Sequence, residues 1–266
     1  MNDAPIGIFD SGVGGLTVVR AVLDQLPHES IHYVGDTARG PYGPRARDEV
    51  RGYVAEVTDL LVKEGVKMLV AACNSASSAG LDHVRDAHPG LPLIEVIQPA
   101  SRAAVQATRN GTIGVIGTAL TIASRSYDRA IESTGADVAL HSAACPKFVE
   151  FVERGQTGGA EIIVAHDYLA PLIDAGIDTL ILGCTHYPLL TGVISFVVGR
   201  EIVLLSSAEE TARDVFRALH EREMAREASD PPTYRFLSSG NRAMFEELGR
   251  RFLGPEITTV EEQPWT

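Results

Sequence analysis

Two stretches of the chain share one layout. "LVAACNSAS" (Leu69 to Ser77) and "LILGCTHYP" (Leu180 to Pro188) each end an apolar run in a cysteine followed by a polar side chain. A thiol at a strand end beside a helix N-terminus is expected to titrate below its usual ~8.5, because the thiolate is stabilised there. One such thiol can act as a nucleophile, and His186, two residues after Cys184, would suit a Cys–His hydrolase. That chemistry leaves the matching Cys73 without a task. Two matched thiols suit another one: removing a proton from one face of a carbon and returning it from the other. One sulfur must start as thiolate and the other as thiol, and the roles swap on reversal. Each then needs a proton-managing partner, with Asp10 placed for Cys73 and His186 for Cys184. Taken singly, each cysteine reads more simply as a small buried hydrophobe; the pairing favours chemistry.

Other polar residues fall at the same kind of position. They lie in "DSGVGG" (Asp10 to Gly15), "GDTARGPYG" (Gly35 to Gly43), "TALT" (Thr118 to Thr121) and "CTHYP" (Cys184 to Pro188). The glycines of the first are not a dinucleotide fingerprint, since Thr17 stands where the third glycine is required, and no phosphate-loop lysine follows. They permit a tight turn with backbone close to a ligand, and N–H groups there suit a carboxylate. Asn74, Ser75, Thr118, Thr121 and Thr185 can bond the carboxylate or ammonium of an amino acid, or can equally cap the helices that follow. Asp10 can orient a catalytic group, hold a cation, or cap a helix.

These loops need strands to hold them. Short apolar runs at Ile6–Phe9, Ile31–Val34, Lys67–Ala72, Leu91–Val96, Thr112–Gly117, Asp137–Ser142, Asp178–Gly183 and Glu201–Ser206 read as strands buried on both faces of a parallel sheet. Helical patterns at Leu16–Leu26, Asp48–Lys63, Ala100–Arg109, Ile122–Ser133, Ala160–Leu172 and Asn241–Phe252 alternate with them. The class is therefore α/β and doubly wound, with ligands expected beyond the carboxyl ends of the strands. The duplicated cysteine context favours two similar units, joined near Glu95–Val105. "EASDPPT" (Glu227 to Thr233) reads as a surface turn.

The bulk numbers set limits. The 266 residues carry a net charge of −12, which disfavours nucleic acid as a partner. No apolar run reaches the ~20 residues of a membrane helix, and the first residues lack the basic region of a secretory signal. Three cysteines, with no C-x-x-C, point to a reduced, cytoplasmic protein with no zinc knuckle.

Five ordered motifs, "IGIFDSGVGGLTV", "YVGDTARGPYG", "AACNSAS", "GVIGTALTIAS" and "LGCTHYPLL", together resemble the glutamate racemase family, and the likeness runs from Ile6 to about Gly254. The resemblance implies two similar α/β domains facing each other across a central active-site cleft. Residues 1–97 plus 210–266 would form the first, carrying Cys73, and 98–209 the second, carrying Cys184. It implies interconversion of L- and D-glutamate with no cofactor and no metal, supplying D-glutamate for peptidoglycan, in a homodimer. By the same resemblance Cys73 serves D-glutamate and Cys184 serves L-glutamate. Asp10 and Ser11, Tyr42 and Gly43, Asn74 and Ser75, and Thr185 and His186 contact the substrate, and Thr118 and Thr121 help to hold it. The assisting carboxylate falls at Glu153, with Glu150 one helical turn earlier as the alternative. Ser75 stands where many members have threonine, and Glu150 where they often have proline. Cys145 matches no catalytic thiol. Rival readings are an aspartate racemase, a two-lobed amino-acid-binding protein, and the Cys–His hydrolase.

Overall fold

Every strand lies parallel to its neighbours, in two sheets. The structure, a computed structural model, describes residues 2–156 and 159–265. Its strands are β1 (Ile6–Asp10), β2 (Ile31–Gly35), β3 (Met68–Ala71), β4 (Leu93–Glu95), β5 (Thr112–Gly117), β6 (Ala139–Ala144), β7 (Thr179–Gly183), β8 (Val203–Ser206), β9 (Tyr234–Ser238) and β10 (Val260–Glu262). The helices are α1 (Leu16–Gln25), α2 (Arg47–Lys63), α3 (Asn74–Ala79), α4 (Asp82–Ala87), α5 (Ile97–Ala107), α6 (Ala119–Ala123), α7 (Ser126–Glu132), α8 (Lys147–Glu153), α9 (Ala160–Asp174), α10 (Thr191–Val198), α11 (Ser207–Glu221) and α12 (Arg242–Leu253).

The first sheet has the order β10-β9-β2-β1-β3-β4 and the second β6-β5-β7-β8. The central strands β1, β3 and β7 are buried along their whole length, which explains their unbroken apolar runs. Register places the chemistry. Phe9 pairs with Ala71, so Asp10 and Cys73 leave the same end of the first sheet. Gly117 pairs with Gly183, so Thr118 and Cys184 leave the second sheet side by side. One apolar cluster contains residues of both sheets, Ile8 and Val70 as well as Ile116 and Leu182, together with Val215 of α11. A second lies under α2 and α3 and includes Phe9, Val54, Leu69 and Cys73. No helix among the described residues is long and apolar enough to cross a membrane.

Several elements differ from the sequence expectation. The helix expected over Ile122–Ser133 is two, α6 and α7, broken where Arg125 adopts a left-handed φ of 55°. Ser124 Oγ donates to Thr121 O and accepts from Ser126 N, local bonds that compete with a continuous helix. The strand expected at Asp137–Ser142 runs two residues later and ends against Cys145. Strands β9 and β10 carry no clear apolar run, because Arg235 interrupts one and Glu261 the other. Their pairing is tertiary: β9 takes the open edge of β2, and Arg235 binds Glu261 at 2.6 and 2.7 Å and Glu64 at 2.7 Å.

Candidate active site

Both cysteine loops open onto one narrow pocket, walled by Ser11, Gly43, Cys73, Asn74, Ser75, Thr118, Val149, Cys184, Thr185 and His186 among others. A wider pocket of about 690 Å³ adjoins it, sharing Ser11, Pro41 and His186 and reaching Glu153, Met244 and Phe245. The two thiols thus belong to one chamber, although strands of different sheets deliver them.

Cys73 is the N-cap of α3, and its sulfur accepts from Ala76 N at 3.5 Å. It also lies 3.7 Å from Ser11 Oγ. The sequence alone suggests a depressed thiol, and the fold reverses this. Burial pushes the Cys73 thiol well above its ordinary range, and the nearby Asp10 carboxylate pushes the same way, outweighing the helix-terminal and Ser11 bonds. Asp10 is itself buried. Its Oδ2 accepts from Gly15 N at 3.0 Å and Gly12 N at 3.2 Å, while its Oδ1 has no partner.

Cys184 faces His186, with the sulfur 3.9 Å from Nδ1. The other ring nitrogen, Nε2, is 3.3 Å from Glu153 Oε1, a charge contact without hydrogen-bond alignment. Burial pulls the imidazole down, but Cys184, Glu153 and Asp10 together hold it up at about 10. The two sulfurs therefore have different partners: Cys73 a helix N-terminus, Ser11 and the nearby Asp10 carboxylate, Cys184 the buried imidazole of His186. Of the two candidate carboxylates, Glu153 reaches His186, whereas Glu150 points to Arg154 at 3.8 Å on the exposed side of α8.

The small polar residues bridge the two sheets' loops. Ser75 Oγ lies 2.9 Å from Thr118 Oγ1, which is 3.1 Å from Thr121 Oγ1. Leu120 N donates to Gly43 O at 3.0 Å, and Thr17 Oγ1 donates to Thr185 O at 3.3 Å. Thr118 also caps α6 while it lines the chamber. Asp10, Thr121 and Tyr42 do not themselves line the chamber. The Tyr42 hydroxyl donates to Asp36, away from the chamber that its neighbour Gly43 lines. Gly14 has no room for a Cβ between Thr185 and His186, which brings the glycine turn against the Cys184 loop.

Tyr127 was not legible as a site residue, because nothing in its spacing connects it to Asn74, 53 residues away. Its buried hydroxyl donates to Asn74 Oδ1 at 2.8 Å, and Asn74 Nδ2 keeps no partner of its own. The bond fixes which end of the amide is free for a ligand. Tyr127→Phe is expected to raise KM about three- to ten-fold with little change in kcat, the size of one lost hydrogen bond, in initial-rate kinetics. An unchanged KM would remove Tyr127 from the site. Cys145 is fully buried, with its thiol raised by burial to about 12, and it packs among apolar residues as a small hydrophobe.

The family model for Asp/Glu/Hydantoin racemases matches residues 14–215. The chain belongs to this racemase family. It is accordingly an isomerase, and its relatives agree over nearly their whole length. It is 57% identical to the glutamate racemase of Beutenbergia cavernae over 274 residues, covering 98% of this chain and 94% of that one. Among solved structures it resembles the Francisella tularensis glutamate racemase in complex with D-glutamate, with a TM-score of 0.93, 32% identity, and 99% and 98% of the two chains covered. It also resembles the Bacillus anthracis glutamate racemase isoform RacE1, with a TM-score of 0.91 and 39% identity over 100% and 98%. Like these racemases, the chain is built of two α/β units.

Proposed function

We propose that this racemase interconverts L- and D-glutamate by proton transfer at Cα between Cys73 and Cys184, with no pyridoxal phosphate or metal. The observation that carries the reading is the single chamber lined by both thiols, each with its own partners. The D-glutamate held by the Francisella tularensis relative supports the choice of amino acid.

With L-glutamate bound, the Cys184 thiolate takes the Cα proton and the Cys73 thiol delivers another to the opposite face. Cys184 is left as thiol and Cys73 as thiolate, and D-glutamate runs the steps in reverse. His186, steadied by Glu153, supports the charge on Cys184. Asp10 adds to the proton affinity that burial gives Cys73. Asn74 Nδ2, Ser11, Ser75, Thr118 and Thr185 supply donors for the carboxylates, with Gly43 as one wall, Tyr42 behind it and Thr121 behind Thr118. Fixed donors of this kind stabilise charge developing at Cα without reorganising. Because Ser75 and Thr118 close the chamber across the cleft, admitting glutamate requires the lobe of residues 1–97 plus 210–266 to separate from 98–209. The activity would supply D-glutamate for peptidoglycan from a cytoplasmic homodimer.

The test is exchange in D₂O without added cofactor, with L-glutamate and L-aspartate followed separately by proton NMR. Deuterium is expected at Cα of glutamate, with loss of optical rotation. Exchange confined to aspartate would reassign the substrate, and exchange in neither would overturn the racemisation chemistry.

A further inference from the structure

The loop that carries Pro41 and Gly43 to the chamber is held by a carboxylate that the proton chemistry does not use. Asp36 is completely buried and takes four donors. Tyr42 O–H and Arg39 Nε, the latter at 2.7 Å, donate to Oδ2. Ser239 Oγ at 2.7 Å and the indole Nε1 of Trp265 at 2.6 Å donate to Oδ1. The first two donors belong to the loop itself. The other two come from 203 and 229 residues away, beyond β9 and β10.

Trp265 makes a second contact with the same loop. The Arg39 guanidinium lies between two rings, 4.2 Å from the Trp265 centroid and 4.3 Å from that of Tyr53. Its Nη1 also bonds Glu56 at 2.7 Å. The indole is delivered by β10, which pairs with β9, and Gln263 N donates to Ser238 O at 2.8 Å. The loop is fastened to the same region by Ala38 N to Ser239 Oγ at 3.0 Å and Gly240 N to Thr37 Oγ1 at 2.9 Å.

A buried carboxylate keeps its geometry only while its lone pairs are filled, and donors to a charge count for more than neutral ones. Removing the indole N–H lets Asp36 turn. Tyr42 and Arg39 are bonded to its other oxygen and move with it. Tyr42 is next to Gly43, and Gly40 packs directly on the carbonyl of Ser11. A small displacement of Asp36 therefore reaches two walls of the chamber.

We propose that Trp265 is a positioning residue whose indole N–H and ring hold Asp36 and Arg39, so that the C-terminal strand sets the shape of the substrate loop. The effect on kinetics rests on the reading that glutamate occupies the chamber beside Gly43. Full-length Trp265→Phe keeps a ring over Arg39 and loses the donor; Trp265→Ala loses both. Trp265→Phe is expected to raise KM for both enantiomers about three- to ten-fold while kcat stays within about three-fold, and Trp265→Ala to raise it further. Tyr42→Phe acts on the same carboxylate, so the double variant with Trp265→Phe should raise KM by less than the product of the single effects. Unchanged KM in both Trp265 variants, effects that simply multiply, or a lowered thermal midpoint with KM unchanged would each overturn the assignment.

Trp265 is also the chain's single tryptophan, so the coupling can be read without any substrate. Tyr42→Phe is expected to alter Trp265 emission and its quenching by acrylamide. An unchanged spectrum would overturn the link through Asp36, whereas failure of the wild type to exchange glutamate would remove only the glutamate reading.

Discussion

Cys73→Ala and Cys184→Ala are each expected to lower racemisation on the order of 10³-fold or more, since each removes one of two obligatory acid–base groups. The losses must be equal in the two directions for either variant, because enantiomers have equal free energies. What distinguishes the variants is the half-reaction that survives. With Cys73 gone, Cys184 can still take the Cα proton of L-glutamate and return one to the same face. In D₂O this variant should wash deuterium slowly into L-glutamate without inverting it, and should leave D-glutamate untouched. Cys184→Ala should show the mirror pattern. The measurement is proton NMR of each enantiomer beside a chiral assay of the product. Retained inversion in Cys73→Ala would sink the two-thiol mechanism and leave Cys184 as a single base serving both faces. Exchange appearing on the wrong enantiomer would reverse the facial assignment.

Asp10→Asn separates proton handling from substrate binding. The asparagine Oδ1 can still accept from Gly12 and Gly15, so the turn keeps its fold while the charge disappears. Turnover is expected to fall on the order of 10²-fold, with KM within about three-fold. The thiol itself gives a second readout. Burial is the main reason that Cys73 holds its proton, and the Asp10 carboxylate adds to it, because a negative charge disfavours a thiolate beside it. Removing that charge must lower the Cys73 pKa while burial keeps it above the usual thiol value. The pH profile of Cys73 alkylation by iodoacetamide should therefore move to lower pH in Asp10→Asn. A profile moved upward, or a change in KM alone, would count against the role given to Asp10.

Much of this was legible before any coordinates. The central strands are apolar throughout because both faces are buried, so β1, β3, β5 and β7 were readable within two residues at each end. Their loops carry the chemistry because parallel strands end on the same side, and that rule alone selected Asp10, Asn74, Thr118 and Thr185. Strands β9 and β10 were hidden because their charged residues are paired with each other and with Glu64, a satisfaction that local pattern cannot express. Tyr42 was read from its motif as a substrate contact, yet its hydroxyl faces a buried carboxylate.

By itself the sequence determined which residues end each central strand, that two of them are cysteines in matched settings, and which racemases the motifs resemble. Only the tertiary structure decided that the two thiols share a chamber, that Glu153 rather than Glu150 reaches His186, and that Tyr127 and Trp265 steady groups far from them in the chain. It also decided the charge preference of Cys73. The helix N-terminus that favours a thiolate is local and can be read from neighbouring residues. The desolvation that overrides it comes from everything packed around the sulfur, and no stretch of sequence contains that information.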